Sequence, residues 1–150
     1  MFKLIINRFF DAAHMLPDSD ELVTKGCAGL HGHTYKVTVE FYSSENKRNG
    51  MVVDFKAIKD IIDRFDHTTI LKNSGEFSEI QKVVNDIRNI QGLTQQKFIY
   101  IEGAPTAENI AKEIYFRIVC KYPDCSQGLK VTVVEGYKGE ESSSSSTYEE

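Results

Sequence analysis

The chain is short of cysteine, of long apolar runs and of clustered positive charge, and each shortage removes a class of protein. Its three cysteines, Cys27, Cys120 and Cys125, are an odd and sparse set. They do not form the dense, even framework that staples small secreted domains, so reduced thiols are expected. The apolar start, Phe2 to Ile6, is broken by Asn7 and Arg8 before a signal-peptide core or a membrane span would be complete. The chain therefore reads as cytoplasmic, with no membrane partner. A net charge of -4 with no run of Lys or Arg leaves no electrostatic footprint for nucleic acid. Small molecules are the expected partners. Its 150 residues suit one domain that buries roughly 70% of the surface of its extended chain.

Histidine is scarce as well, but it is not scattered. Of four histidines, three lie close together as His14, His31 and His33, and the fourth is His67. Residues 2–13 are rich in Phe, Leu and Ile without helical spacing, which predicts a buried strand ending near His14. Residues 15–30 hold Pro17, Asp18, Ser19, Asp20, Gly26 and Gly29, a loop composition that carries Cys27. From His31 the odd positions run His31, His33, Tyr35, Val37, Val39 and Phe41. That alternation predicts a half-buried strand with both histidines on the core-facing side, and Gly32 between them leaves room for close approach.

Asp54 is a good N-cap for an amphipathic helix over 55–65, with Phe55, Ile58, Ile61, Ile62 and Phe65 on one stripe. The helix delivers Asp66 and His67 just past its end. A second helical period runs through Phe77, Ile80, Val83, Val84, Ile87 and Ile90, with Ser74 or Ser78 as cap and Gly92 as stop. A short strand over 98–101 and a third helix capped by Thr106, ending near Tyr122 and Pro123, follow. In the final strand Leu129, Val131 and Val133 share a face, and Glu135 continues the same series. A carboxylate in phase with a buried face is costly unless it binds something. From Glu140 the chain is serine and glutamate with little apolar content, and residues 140–150 are expected to be a disordered tail.

Three imidazoles match the protein ligand set of a catalytic zinc, which keeps a further position open to water or substrate. A structural site would instead recruit Cys27 as a fourth ligand and be closed, and the sequence leaves both readings open. Cys27 beside a cation is also suited to act as a thiolate base, because nearby positive charge depresses a thiol's pKa. Asp66 next to His67 offers the other half of an acid and base pair, a carboxylate that fixes an imidazole's tautomer.

With these residues assembled, the chain resembles the 6-pyruvoyltetrahydropterin synthase and 6-carboxytetrahydropterin synthase family. The resemblance covers most of residues 4–137. It rests on six stretches in order: Phe10-Asp11-Ala12-Ala13-His14, Cys27 with His31-Gly32-His33, Gly50-Met51-Val52-Val53-Asp54-Phe55, Asp66-His67, Pro105-Thr106-Ala107-Glu108-Asn109, and the strand bearing Glu135. It implies an α+β fold, a four-stranded antiparallel sheet with helices packed on one face. Such units assemble through sheet edges into a barrel-like homohexamer with sites between subunits. By the same resemblance His14, His31 and His33 hold Zn2+, Cys27, Asp66 and His67 are catalytic, and Glu135 and Thr106 contact the pterin.

The implied substrate is 7,8-dihydroneopterin triphosphate. The three-residue spacer between Cys27 and His31 looks like the branch of queuosine synthesis that makes 6-carboxy-5,6,7,8-tetrahydropterin with release of acetaldehyde and triphosphate. The sister branch stops at the 6-pyruvoyl product, and a non-catalytic zinc or pterin-binding protein of the same fold is the alternative outside enzymes. The family unit is expected to span 1–139. Two departures stand out: an extra helical insertion at about 72–97, read as an added surface helix, and Gly136 after Glu135 where the family pattern suggests Thr.

Overall fold

The computed structural model describes residues 1–16, 25–46, 49–73, 79–90, 95–138 and 144–150. Its spine is a pair of long antiparallel strands, β1 (Phe2–His14) and β2 (His31–Ser43), in register from Phe2 opposite Ser43 to His14 opposite His31. Alternation does what the sequence implies. Ile6, Phe10, Ala12 and His14 of β1, with Tyr35, Val37, Val39 and Phe41 of β2, turn inward and are buried. Directly opposed pairs stabilise the ladder, as where Phe10 stacks on Tyr35 with ring centroids 4.8 Å apart.

The inward face is covered by two helices. In α2 (Phe55–Asp63) the Asp54 carboxylate accepts from the Lys56 N–H at 2.9 Å, and Ala57, Ile58, Ile61 and Ile62 are buried. Each such isoleucine stabilises the fold by about 1.5–3 kcal/mol relative to an exposed one. At its far end Asp63 receives a two-pronged bond from the Arg8 guanidinium at 2.5 and 2.6 Å, fixing α2 to β1. Thr106 caps α4 (Ala107–Lys121), which buries Ile110, Ala111, Ile114, Tyr115 and Ile118 against β5 (Leu129–Glu135). A 3-10 turn, Pro123–Cys125, joins α4 to β5.

The expected four-stranded antiparallel sheet is corrected in width and in direction. Among the described residues the sheet has six strands. Two of them, β3 (Thr68–Lys72) and β4 (Lys97–Ile101), extend it beyond β1 with β3 parallel to β1 and β4 parallel to β3. Thr68, Thr69, Ile70 and Leu71 are all buried. A strand covered on both faces shows no alternation, and that is why the sequence gives no sign of it. Parallel neighbours need a crossover, and α3 (Glu79–Asn89) lies in the connection between β3 and β4. The segment expected as an added surface helix is thus the link of a strand-helix-strand unit. Val84 of α3 is buried while Val83 and Ile90 are exposed. The proposed caps Ser74 and Ser78 and the stop Gly92 lie outside the described residues.

The expectation of a disordered tail is also corrected. Ser144–Glu149 form β6, antiparallel to β5 from Lys130 opposite Glu149 to Glu135 opposite Ser144. Serine withholds packing area but not backbone hydrogen bonds. One aromatic ring in the inward phase, Tyr148, packs on Tyr115 at 5.0 Å and Phe116 at 5.8 Å. The sheet order is β4-β3-β1-β2-β5-β6. Among the described residues no helix is long and apolar enough to cross a membrane.

Candidate metal centre and acid-base cleft

The end of the β1 and β2 ladder gathers the histidines. His14 and His31 are directly opposed, and His33 stands two residues further along the same face of β2. Their rings meet at centroid distances of 4.5 Å for His14 and His31, 5.1 Å for His14 and His33, and 4.8 Å for His31 and His33. One nitrogen of each of two rings is fixed from behind. The Nδ1 of His14 donates to the Pro105 carbonyl at 2.6 Å, and the Nδ1 of His31 donates to the Gly29 carbonyl at 2.7 Å. In the neutral imidazoles this leaves both Nε2 lone pairs pointing inward, 3.0 Å from one another. Two facing lone pairs repel, and a shared cation relieves them.

Glu135 completes the group. Strand β5 pairs with β2 up to Lys36 opposite Val134, so the next residue falls beside Tyr35 on the histidine side. There Gly136 takes a φ of +68° and the Tyr137 N–H donates to the Thr34 carbonyl at 3.0 Å. The register slips by one residue, forming a bulge of the kind that re-aims a side chain. The Glu135 Oε1 lies 2.9 Å from the His33 Nε2 and 3.2 Å from the His14 Nε2. One ligand atom from each of His14, His31, His33 and Glu135 lies within 4.8 Å of all the others. A tetrahedral zinc with bonds of about 2.0–2.1 Å has ligand-to-ligand edges of roughly 3.3 Å, and the three closest pairs, at 2.9, 3.0 and 3.2 Å, lie near that value, so the donor set suits such an ion. Residue 136 faces this group too: a Cβ there would stand 3.8 Å from the His33 Nδ1, but the left-handed backbone favours glycine.

Electrostatics bind the cluster internally. Burial pulls the His14 pKa down, but the bond to Glu135, the bond to Pro105 and the charge of Glu135 outweigh it, and the net direction is up. The His14 bond holds the Glu135 carboxyl below its ordinary value against the opposing effect of burial. His33 shifts down, first through burial and then through its positive neighbours, against the pull of Glu135. The floor is Tyr35, fully buried and edge-on to His14 and His33 at 6.0 and 5.9 Å. Its hydroxyl has no hydrogen-bond partner among the described residues. Burial, with the nearby Glu135 charge, raises its pKa.

Asp66 and His67 sit on the next strand boundary. Past α2 the chain takes a left-handed step at His67, φ +56°, uncommon for a residue other than glycine and a sign of local constraint. The His67 N–H donates to the Asp11 carbonyl at 2.8 Å, and the Asp11 N–H donates to the Asp66 Oδ1 at 2.9 Å. The other Asp66 oxygen is 2.9 Å from the His67 Nδ1. The carboxylate thus fixes the tautomer and leaves Nε2 on the far side of the ring. A cleft of about 840 Å³ joins this pair to the metal group, with His33, Gly32, His67, Thr69, Tyr137 and Lys138 among its walls.

The remaining candidates are placed as follows. Cys27 is on a short helix, α1 (Lys25–Ala28), and not on an irregular loop. Its carbonyl accepts from the Leu16 N–H at 2.9 Å, tying α1 to the end of β1. Its thiol is half-buried and is not one of the gathered ligand atoms, whose fourth member is Glu135. Thr106 uses its hydroxyl to cap α4 and adjoins Pro105, the residue that holds His14. Gly32 is not needed for close strand approach, since a Cβ there would meet only the Ala12 carbonyl at 3.5 Å. It lies on the cleft wall. Sequence reasoning placed Glu135 with the substrate and missed its place among the histidines. The in-phase carboxylate was the available signal.

Known proteins resemble the chain over most of its length. The family described as 6-pyruvoyl tetrahydropterin synthase matches residues 3–150. The 6-carboxy-5,6,7,8-tetrahydropterin synthase of Rickettsia conorii is 32% identical over 134 residues, covering 86% of this chain and 88% of the relative. The Haemophilus influenzae protein of the same name is 36% identical over 131 residues, covering 79% and 82%. Among solved structures, an uncharacterized protein from Wolinella succinogenes superposes with a TM-score of 0.67 at 22% identity over 97% of both chains. The Caenorhabditis elegans 6-pyruvoyl tetrahydropterin synthase gives 0.55 at 20% identity over 100% of this chain and 97% of that one. At those identities the two structures speak for the fold alone.

Proposed function

The chain belongs to the 6-pyruvoyl tetrahydropterin synthase family, and from that premise we propose that it converts 7,8-dihydroneopterin triphosphate to 6-carboxy-5,6,7,8-tetrahydropterin, releasing acetaldehyde and triphosphate. It is a tetrahydropterin synthase-like enzyme, a lyase. The observation that carries the finer reading is the shared cleft, in which His33 of the metal group and His67 of the acid-base pair line one space. The 6-carboxy product is favoured by the names of the Rickettsia and Haemophilus relatives and by the short spacer from Cys27 to His31.

In this reading His14, His31 and His33 hold Zn2+ through their Nε2 atoms. When bound, the ion supplies Lewis acidity to the hydroxyls of the substrate side chain. Cys27, as thiolate, takes a proton from that side chain, and His67 returns one from its Nε2 while Asp66 keeps the ring in the required tautomer. Glu135 and Thr106 bind the pterin ring, Glu135 through the ring's guanidine-like N–H edge. The working form is a cytoplasmic homohexamer with its sites between subunits, which brings further residues to a cleft that is open in the single chain.

The test is to incubate the zinc-loaded protein with 7,8-dihydroneopterin triphosphate and identify the products by mass. Acetaldehyde with a 6-carboxy pterin supports the reading. An intact three-carbon side chain moves the protein to the 6-pyruvoyl reaction, and unreacted substrate counts against both.

A further inference from the structure

Glu135 is asked for twice. The pterin reading sends its carboxylate to the substrate, whereas the geometry sets one oxygen of that carboxylate 2.9 Å from the His33 Nε2 and 3.2 Å from the His14 Nε2. That oxygen sits where the fourth donor to a tetrahedral ion belongs, and all four donor atoms fall within 4.8 Å of one another. Four protein ligands make a closed centre, and a closed centre carries out no chemistry until one leaves.

The three imidazoles are poor candidates to leave. His14 is 1% exposed, His14 and His31 are each anchored through Nδ1 to a backbone carbonyl, and His33 lies in the regular β1 and β2 ladder opposite Ala12. Glu135 is more exposed than His14, 24% against 1%, though no more so than His33 at 27%, and what sets it apart is its place in the chain. It is the last residue of β5. It is followed by Gly136 in the left-handed region, where the chain leaves the regular ladder. It also has the most rotatable bonds of the four side chains.

We propose that Glu135 serves two partners in turn, closing the metal centre as its fourth ligand in the substrate-free protein and moving onto the pterin ring when substrate enters. This rests on the reading above that the centre holds a divalent metal and the cleft a pterin. The consequence is a gate built from one side chain. Occupation of the ring site and opening of the coordination position become the same event, so the cation is exposed only when there is a substrate to meet it. No bond of the substrate changes in this step, and the carboxylate stays ionised throughout.

The experiment uses the full chain loaded with Co2+, whose visible absorption reports ligand number and type, together with neopterin, which keeps the aromatic ring and the side-chain hydroxyls and lacks the triphosphate. Three proteins are compared: wild type, Glu135→Gln and His31→Ala. The expected result has three parts. First, wild type and Glu135→Gln each bind one Co2+ per chain but with different spectra before any pterin is added. Second, Glu135→Gln binds the ion at least about 10-fold more weakly. Third, saturating neopterin changes the wild-type spectrum and brings it to that of neopterin-bound Glu135→Gln, because in both the carboxylate is then off the ion and the same side-chain hydroxyls face it. Identical resting spectra for the two proteins would show that Glu135 is no ligand and overturn the proposal. A difference at rest that neopterin does not alter in wild type, while neopterin binding is seen by its fluorescence, makes Glu135 a permanent ligand and overturns the exchange. Failure of the broader reading looks different: either wild type holds Co2+ no better than His31→Ala, or neopterin does not bind, and each of these also removes the proposal. Because Gln matches Glu in size at a partly exposed strand end, loss of fold does not obscure the comparison.

Discussion

His14 and His67 are both imidazoles beside a carboxylate, yet His14 is 1% exposed while the side chain of His67 is 80% exposed. The His14 ring is held on both nitrogens, Nδ1 by the Pro105 carbonyl and Nε2 within the cluster. Asp66 holds the Nδ1 of His67, and the opposite side of the ring is left toward the cleft. Under the proposed function the difference follows from what each would do. A metal ligand needs a fixed lone pair and a dry surrounding, which a long strand pair can supply from its own side chains. A proton donor needs one nitrogen held and the other accessible. One chain finishes the first site and only begins the second, which agrees with the proposal that neighbouring subunits complete the cleft.

The largest expected effect breaks the buried side of this comparison. On the proposed metal reading, His14→Ala removes a ligand whose position depends on Pro105 and β3 as well as on the other histidines. Metal affinity falls by more than about 100-fold, exceeding the loss that accompanies removal of a supporting group, and turnover vanishes with it. Metal content after dialysis checks the first part and product formation the second. His67→Ala breaks the exposed side. It lowers kcat by about 100- to 10,000-fold while the protein keeps its full complement of metal. If metal is lost along with activity in His67→Ala, the two sites are not separable in the way described.

A smaller effect sharpens the role of the space between them. Gly32 lies in a regular strand, lines the cleft, and would tolerate a Cβ in ordinary contact with the Ala12 carbonyl at 3.5 Å. Valine is favoured in strands, so Gly32→Val leaves the melting temperature unchanged or slightly raised. Its two methyl groups project into the cleft, and KM for the pterin substrate rises by about 10-fold. A normal KM in a well-folded Gly32→Val protein would move the substrate elsewhere.

The two sites were not equally legible in the sequence. The alternation from His31 to Phe41 specifies which way His31 and His33 face, because period 2 admits only one reading once one side is apolar. The meeting of His14 with them depends on strand register, which a single sequence does not state, though the length of the two strand candidates is consistent with it. Glu135 was visible as a carboxylate in the wrong phase, but its approach to His14 and His33 needs both the β2 and β5 register and the bulge at Gly136. The Asp66 and His67 pair was visible as a dipeptide at a helix end. Its geometry was hidden, because His67 is followed by β3, whose buried run Thr68 to Leu71 carries no alternation. The tail misled through composition: serines outweighed Tyr148, the one residue that gives β6 a reason to stay on the sheet.

The smallest expected effect concerns the pH dependence of the exposed pair. Burial alone would raise the Asp66 carboxyl, but the Asp11 N–H and the neighbouring His67 more than offset it, so its folded-state pKa lies below the ordinary carboxylate value. A depressed pKa contributes stability that is present above the unfolded value of about 3.9 and is lost as pH falls through the folded value. Asp66→Asn removes that contribution while keeping a side-chain oxygen to accept from Asp11. Above about pH 5 the variant should melt lower than wild type by about 1–3 °C, since the group is well exposed and solvent screens it. At pH values below the folded-state pKa the two curves should converge, because Asp66 is then neutral in both states of the wild type. Melting curves of the two proteins from about pH 2 to 7 check this. A gap that stays constant across the range would mean that Asp66 acts through packing, and the account of a charged carboxylate holding the His67 tautomer would fail with it.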